Sequence, residues 1–213
     1  MNKNIQAVLE KKLQRTVENL RKNNFNAHYC QSEEDVRAYL QKHLKKGSVV
    51  SKGGSMTLEE MGITDWLKKG DFEYLDREDP SLSPEEKAEI ERRSYSADYY
   101  LMSSNAVTEN GELYNVDGRG NRVSALCYGP EKVIVIAGSN KVVRDYEEAV
   151  ERVRTVAAPA NCVRLGLDNP CTKFGRCCDC KQEKRICSQH VFSAYQFMKN
   201  RIVVLLVPEE YGY

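Results

Sequence analysis

The chain has 213 residues, 41% of them hydrophobic, and 32 basic against 31 acidic residues leave a formal charge of +1. That length supports one sizeable core, and the balanced charge gives no global reason to expect nucleic acid or an anionic membrane as partner. No stretch approaches the roughly 20 apolar residues of a transmembrane helix; the N-terminus, MNKNIQAVLEKKLQRTVENL, carries charges where a signal peptide needs an apolar core, so a cytoplasmic location is expected.

Residues 4–22 read as an amphipathic helix, with Ile5, Val8, Leu9, Leu13, Val17 and Leu20 on one face. Phe25 to Cys30 alternates like a strand. Ser32-Glu33-Glu34-Asp35 offers the next helix start, which runs to Leu44 and stops at Lys45-Lys46-Gly47. Ser48 to Ser51 is a short buried strand that leads into Lys52-Gly53-Gly54-Ser55-Met56-Thr57. A strand, a Gly-rich loop and a helix start together form a recipe for holding an anion, because glycine lets a backbone come close with its N–H groups free. No Walker motif is present.

A short helix near Thr64–Lys68 and a strand over Phe72–Leu75 follow. Ser83-Pro84-Glu85-Glu86 then has Ser at the N-cap, Pro at the first helical position and Glu three residues on, and predicts a helix to Tyr95. Tyr99 to Met102 is apolar and ends in Ser103, Ser104 and Asn105. Glu109-Asn110-Gly111 marks a turn, and Glu112–Asp117 resembles an antiparallel partner inserted into an otherwise parallel plan. Val133 to Ala137 is the densest apolar run and stops at Gly138-Ser139-Asn140-Lys141. Residues 142–157 read as a helix that Pro159 stops, and Arg201 to Pro208 holds a final buried strand. Strands alternating with helices predict an α/β fold with a largely parallel sheet flanked by helices. We read residues 1–213 as one domain with a Cys-rich insertion at about 162–190.

Polar and Gly residues gathered at several strand ends are what a ligand site on such a sheet is built from. The candidates are Gly53, Gly54, Ser55, Asn105, Thr108, Asp117, Gly118, Gly120, Asn121, Arg122, Asn140 and Lys141. Cations and amides suit a carboxylate or phosphate, and Asp117 suits hydroxyls or a general base; turn chemistry alone also accounts for Asp117-Gly118 and Gly120-Asn121. An isomerase or acyl-transferase acting on a phosphorylated or CoA-linked substrate is the alternative, with Asp117 or Glu109 as base. His28, His43 and His190 show no ligand spacing.

Six of the eight cysteines crowd residues 162–187. Cys171, Cys177, Cys180 and Cys187 give C-x5-C-x2-C-x6-C, a thiolate set suited to a [4Fe–4S] cluster or Zn²⁺, with Cys178 competing with Cys177. Nearby Lys173, Arg176, Lys181, Lys184 and Arg185 are expected to lower the thiol pKa values. A redox-sensing or electron-transfer subunit is a third reading.

SSNAVTENGELYNVDGRGNRVSALCYGPEKVIVIAGSNKVV, AAPANCVRL at 157–165 and NPCTKFGRCCDCKQEKRIC at 169–187, together with SKGGSMTLEEMG, resemble the lactate-utilisation (LUD) domain family. The resemblance implies a fold similar to the sugar-phosphate isomerase and CoA-transferase-like superfamily, in which the Gly-Gly-Ser-Met-Thr loop corresponds to an anion-binding loop. It also implies a link to oxidation of L-lactate or related organic acids beside iron–sulfur partner proteins. On this resemblance the chain is expected to be a short stand-alone form without the long ferredoxin-like extension of the larger relatives.

Overall fold

A computed structural model describes residues 2–213. In chain order it contains α1 (Lys3–Lys22), β1 (Asn26–Tyr29), α2 (Glu33–His43), β2 (Val49–Lys52), α3 (Met56–Glu60), α4 (Ile63–Lys69), β3 (Glu73–Leu75) and α5 (Pro84–Arg93). Then come β4 (Tyr99–Met102), β5 (Ala106–Thr108), β6 (Leu113–Asp117), α6 (Asn121–Cys127), β7 (Lys132–Gly138) and β8 (Val142–Val143). The last elements are α7 (Tyr146–Arg152), α8 (Ala158–Arg164), α9 (Pro170–Phe174), β9 (Gln189–Ser193) and β10 (Ile202–Val207).

Six strands form one sheet in the order β1-β10-β7-β4-β2-β3, every pair of them parallel. A parallel sheet must be covered on both faces, so its strands read as unbroken apolar runs. β7 and β10 show why. Val133, Val135, Ala137, Val204 and Leu206 point to a face covered by Leu13, Val17 and Leu20 of α1 and by Ala125 and Leu126 of α6. The alternate residues Ile134, Ile136, Val203 and Leu205 meet Val36 and Leu40 of α2, Leu58 of α3, and Ile63 and Leu67 of α4. Only the second half of α1 is used in this way, since Ile5 and Val8 are exposed.

The expected antiparallel insertion is a separate sheet. β6 does not join the parallel sheet; four strands in the order β8-β5-β6-β9 make a second, mixed one. Its core against α7 is Ala106, Tyr114, Val116, Val143, Ala149 and Val153.

Two helix expectations also change. Val142 and Val143 pair in parallel with Val107 and Thr108, so the helix starts only at Tyr146, behind the capping side chain of Asp145. Pro159 does not stop it. Val153–Ala157 widens to a π-turn, with Ala158 N–H bonded to Val153 O, and α8 continues with Pro159 in its first turn. Proline is tolerated in a first turn because its missing N–H is not needed there. The α5 start is as read, with a capping box between Ser83 and Glu86. Ser32 precedes α2 but makes no side-chain cap bond.

The Glu109-Asn110-Gly111 turn docks on α1, where Asn19 donates to Glu109 O and Asn23 to Asn110 O and Gly111 O. Gly111 has φ +85°, and a Cβ there would stand 2.3 Å from the main-chain carbon of Asn19. Gly111→Ala therefore combines left-handed strain with a backbone clash. It is expected to lower the unfolding free energy by about 3 kcal/mol, as read from urea denaturation.

Candidate functional site

The connection leaving β2 runs outward to the β3 edge, whereas the one leaving β4 leads through the second sheet to β7 on the other side. The crevice at the carboxyl ends of β2 and β4 is thus the topological switch point, where ligands of open α/β sheets bind. A cleft of about 350 Å³ opens there, within the range of small-molecule sites.

Its floor is organised by Arg122, which is 9% exposed. Nε donates to Asp117 Oδ1 at 2.9 Å. One terminal nitrogen donates to Ser103 O at 3.1 Å and Asn115 Oδ1 at 2.5 Å. The other donates to Asn105 Oδ1 at 2.8 Å and Val116 O at 3.1 Å. All five guanidinium donors are thereby used. Asp117 accepts from Arg122 through Oδ1 and from Val123 N–H through Oδ2, at 2.9 Å, which ties it to the first turn of α6. The stem of Arg122 lies on Gly53, where a Cβ would meet its Cγ at 2.9 Å.

Of the residues read from the sequence, Gly54, Ser55, Asn105, Asp117, Gly118, Asn121, Arg122 and Lys141 come together around the cleft. Gly53 sits beneath Arg122 rather than on the cleft surface, and Gly120 starts α6. Thr108 does not reach the cleft: it is fully buried, and its hydroxyl donates to Glu112. Asn140 is turned to the chain's last residues, donating to Gly212 O at 2.9 Å and accepting from Tyr211 N–H. Glu109 is held by Lys12 and Arg15 of α1, away from the cleft.

The sequence reading missed Arg77, Arg119, Asn161, Arg164 and Tyr213, all of which line the cleft. Arg77 and Arg119 share one carboxylate, Glu91, at 2.7 and 2.5 Å. Arg164 donates to the Asn161 side chain at 3.1 and 2.9 Å and lies beside the Tyr213 hydroxyl, with no Asp or Glu partner among the described residues. Asn161 and Arg164 lie one turn apart on α8, a spacing visible in AAPANCVRL. The single acid on the lining is Asp117, already paired with Arg122, so the cleft carries uncompensated positive charge.

Lys141 is 3% exposed, and its Nζ donates to the main-chain oxygen of Tyr213 at 2.9 Å. Burial, followed by repulsion from Arg152 and Arg122, pulls its ammonium down to about 7, and Glu60 opposes this weakly.

The cysteine segment forms one rim of the cleft. Ile186 lines it beside Gly118, Ser188 N–H donates to Asp117 O, and Cys177 N–H donates to Arg154 O. Contrary to expectation, burial outweighs the flanking cations at Cys171 and Cys187. Burial and a hydrogen bond with Cys162 push the Cys171 thiol up to about 12, and burial likewise raises Cys187. Cys177 contacts Asp179, and Cys178 contacts Arg176 O. Among the described residues no three Cys, His, Asp or Glu side chains gather as metal ligands. Cys180 lies within electrostatic reach of both Cys171 and Cys187, and Cys177 of Cys187. Among the described residues no helix is long and apolar enough to cross a membrane.

The family model described as the LUD domain matches residues 13–207. Among solved structures, a DUF162 family protein from Deinococcus radiodurans is similar over 96% of this chain and 98% of its own. It is 15% identical, with a TM-score of 0.50. The eIF2B delta protein from Chaetomium thermophilum is 17% identical over 54% of this chain and 48% of its own, and its TM-score of 0.32 carries no weight. No curated protein matches the chain.

Removing Arg122 strands the buried carboxylate of Asp117, so Arg122→Ala is expected to cost about 3–5 kcal/mol in urea denaturation. Lys141 has the opposite effect. Its folded pKa lies below the ordinary lysine value, so the unfolded chain binds the proton more tightly between the two. The resulting cost to stability is complete below neutrality and fades as pH rises to the ordinary lysine range. Lys141→Met should therefore raise the melting temperature below neutrality and lose that advantage in alkali, as read from thermal melts across pH.

Proposed function

The chain belongs to the LUD domain family, and from that premise we propose that its cleft binds a small anionic metabolite in lactate or related organic-acid utilisation. The observation that carries this reading is the charge inventory of the lining. Arg77, Arg119 and Arg164 face a cleft whose single acid is already neutralised by Arg122. Guanidinium groups recognise carboxylate and phosphate through paired donors, and the cleft is of metabolite size.

In this reading the residues divide their work. Arg122 and Asp117 hold the floor, because their bonding capacity is spent within the protein. Arg77 and Arg119 act from the α5 side and Arg164 from α8, and Gly54 and Ser55 let the ligand approach the backbone at the end of β2. An isomerase or acyl-transferase needs a base free to meet its substrate, and neither Asp117 nor Glu109 is free. The anion-binding reading is therefore preferred. No step of it runs through a metal; stoichiometric iron, sulfide or zinc after anaerobic purification, lost in Cys180→Ser, would add a metal centre held by the cysteine segment.

Thermal-shift measurements with L-lactate, pyruvate, sugar phosphates and CoA esters test the reading. At least one class should raise the melting temperature, with Arg164→Ala weakening that ligand about tenfold or more, the worth of one charge-assisted contact. Thr108→Ser should leave binding unchanged. No stabilisation by any of these anions would overturn the proposal.

A further inference from the structure

The cleft's cations explain the holding of an anion, but not why a lysine is buried among arginines at its edge. Lys141 follows the carboxyl end of β7 and lines the cleft, yet it is 3% exposed. Four groups face it from four elements. Arg122 comes from α6, Arg152 from α7, Glu60 from α3, and the main-chain oxygen of Tyr213 accepts its hydrogen bond. Arg152 is itself fixed in place, donating to Asn140 O at 2.8 Å and Asn105 O at 2.7 Å. Among the described residues no Asp or Glu side chain forms a salt bridge with Lys141, whereas the cleft's other buried cation, Arg122, has Asp117. A group meant only to hold an anion would keep its charge, as arginine does. A desolvated lysine beside other cations instead gives up its proton more readily, and the free amine is the form that attacks carbonyl carbon.

We infer that Lys141 is a nucleophile that condenses with the carbonyl group of a small oxo-acid bound in this cleft. The inference rests on the anion reading above and adds the reacting group. The amine nitrogen bonds to the carbonyl carbon, and the carbonyl oxygen leaves as water with the two amine protons. A carbon–nitrogen double bond to Lys141 results, and nothing is oxidised or reduced. The arginines that line the cleft hold the substrate's carboxylate. Burial beside Arg122 and Arg152, which brings the ammonium down to about 7, supplies the free amine near neutrality.

The test traps the imine in the full-length chain. The protein is incubated near neutral pH with pyruvate and sodium cyanoborohydride, then analysed by intact mass and peptide mapping. L-lactate, which has no carbonyl, serves as the matched anion, and melting temperatures are read with both. The expected result is stabilisation by both anions and one reduced pyruvate per chain, located at Lys141. Labelling should grow faster as pH rises through neutrality and be absent in Lys141→Arg. Map assignment in the unaltered chain makes the result independent of how that variant folds. Stabilisation by both anions with no adduct, or with modification scattered over surface lysines, would overturn the amine chemistry and leave the anion reading in place. Stabilisation by neither, with no adduct, removes both.

Discussion

The cleft depends on one buried guanidinium. Arg122 bonds to acceptors from the end of β4, the loop into β5 and the strand β6. A charge taken out of water is tolerated only when it is paired and its donors are filled, so the neighbouring side chains are constrained in turn. Asp117 must be acidic, Asn105 and Asn115 must offer carbonyl oxygens, and Gly53 must lack a side chain because the Arg122 stem occupies that space. Several residues that resemble ligand-binding groups in the sequence are thus the internal partners of one arginine. Asn105 shows this further: its Oδ1 also accepts from Val116 N–H at 2.9 Å.

That constraint also joins the two sheets. The parallel sheet, apolar on both faces, can present polar chemistry only at strand ends. Its switch point between β2 and β4 lies where the chain leaves for the second sheet and returns through α6 to β7. Arg122 sits on α6 and bonds both to Ser103 O, at the end of β4, and to the β6 strand, so it fixes the angle at which the smaller sheet meets the larger. The half-buried Arg77 and the exposed Arg119 and Arg164 then reach in from elements the sequence separates widely.

How much of this was legible follows from the range of the forces involved. β7, β10 and the capped start of α5 were readable because runs of apolar residues and a Ser-Pro-Glu-Glu start are local signals. β5, β8 and β9 were not, since strands of two to five residues gain their stability only from partners far along the chain. α6 hid behind Gly118 and Gly120, which resemble turn residues and do form the turn into it. The Gly-rich loop and Asp117, Gly118, Asn121 and Arg122 were found as part of the site, but their roles were not, because bonding capacity already spent inside the protein leaves no trace in a sequence. Thr108 and Asn140 were misplaced for the related reason that a polar residue at a strand end does not reveal which way it faces. Arg77 carries no local signature at all, and the Asn161–Arg164 spacing in AAPANCVRL does not say which way its face turns; topology brings both arginines to the cleft.

The cysteine segment shows the same limit in its chemistry. Counting charges along the chain predicts acidic, reactive thiols, because five lysines and arginines flank them. Burial overrides that charge at Cys171 and Cys187. Asp179 takes up Arg154 in a paired contact at 2.9 and 2.7 Å, and Arg185 is spent on the main-chain oxygens of Cys180 and Cys187. Cys171 is turned inward against Cys162, beyond reach of compensating charge, and desolvation there outweighs every attraction along the segment. Backbone bonds to Asp117 O and Arg154 O also fix this segment. Asp117 thus has a second role: its side chain holds Arg122 while its carbonyl anchors the rim, so a single residue couples the floor of the cleft to its wall.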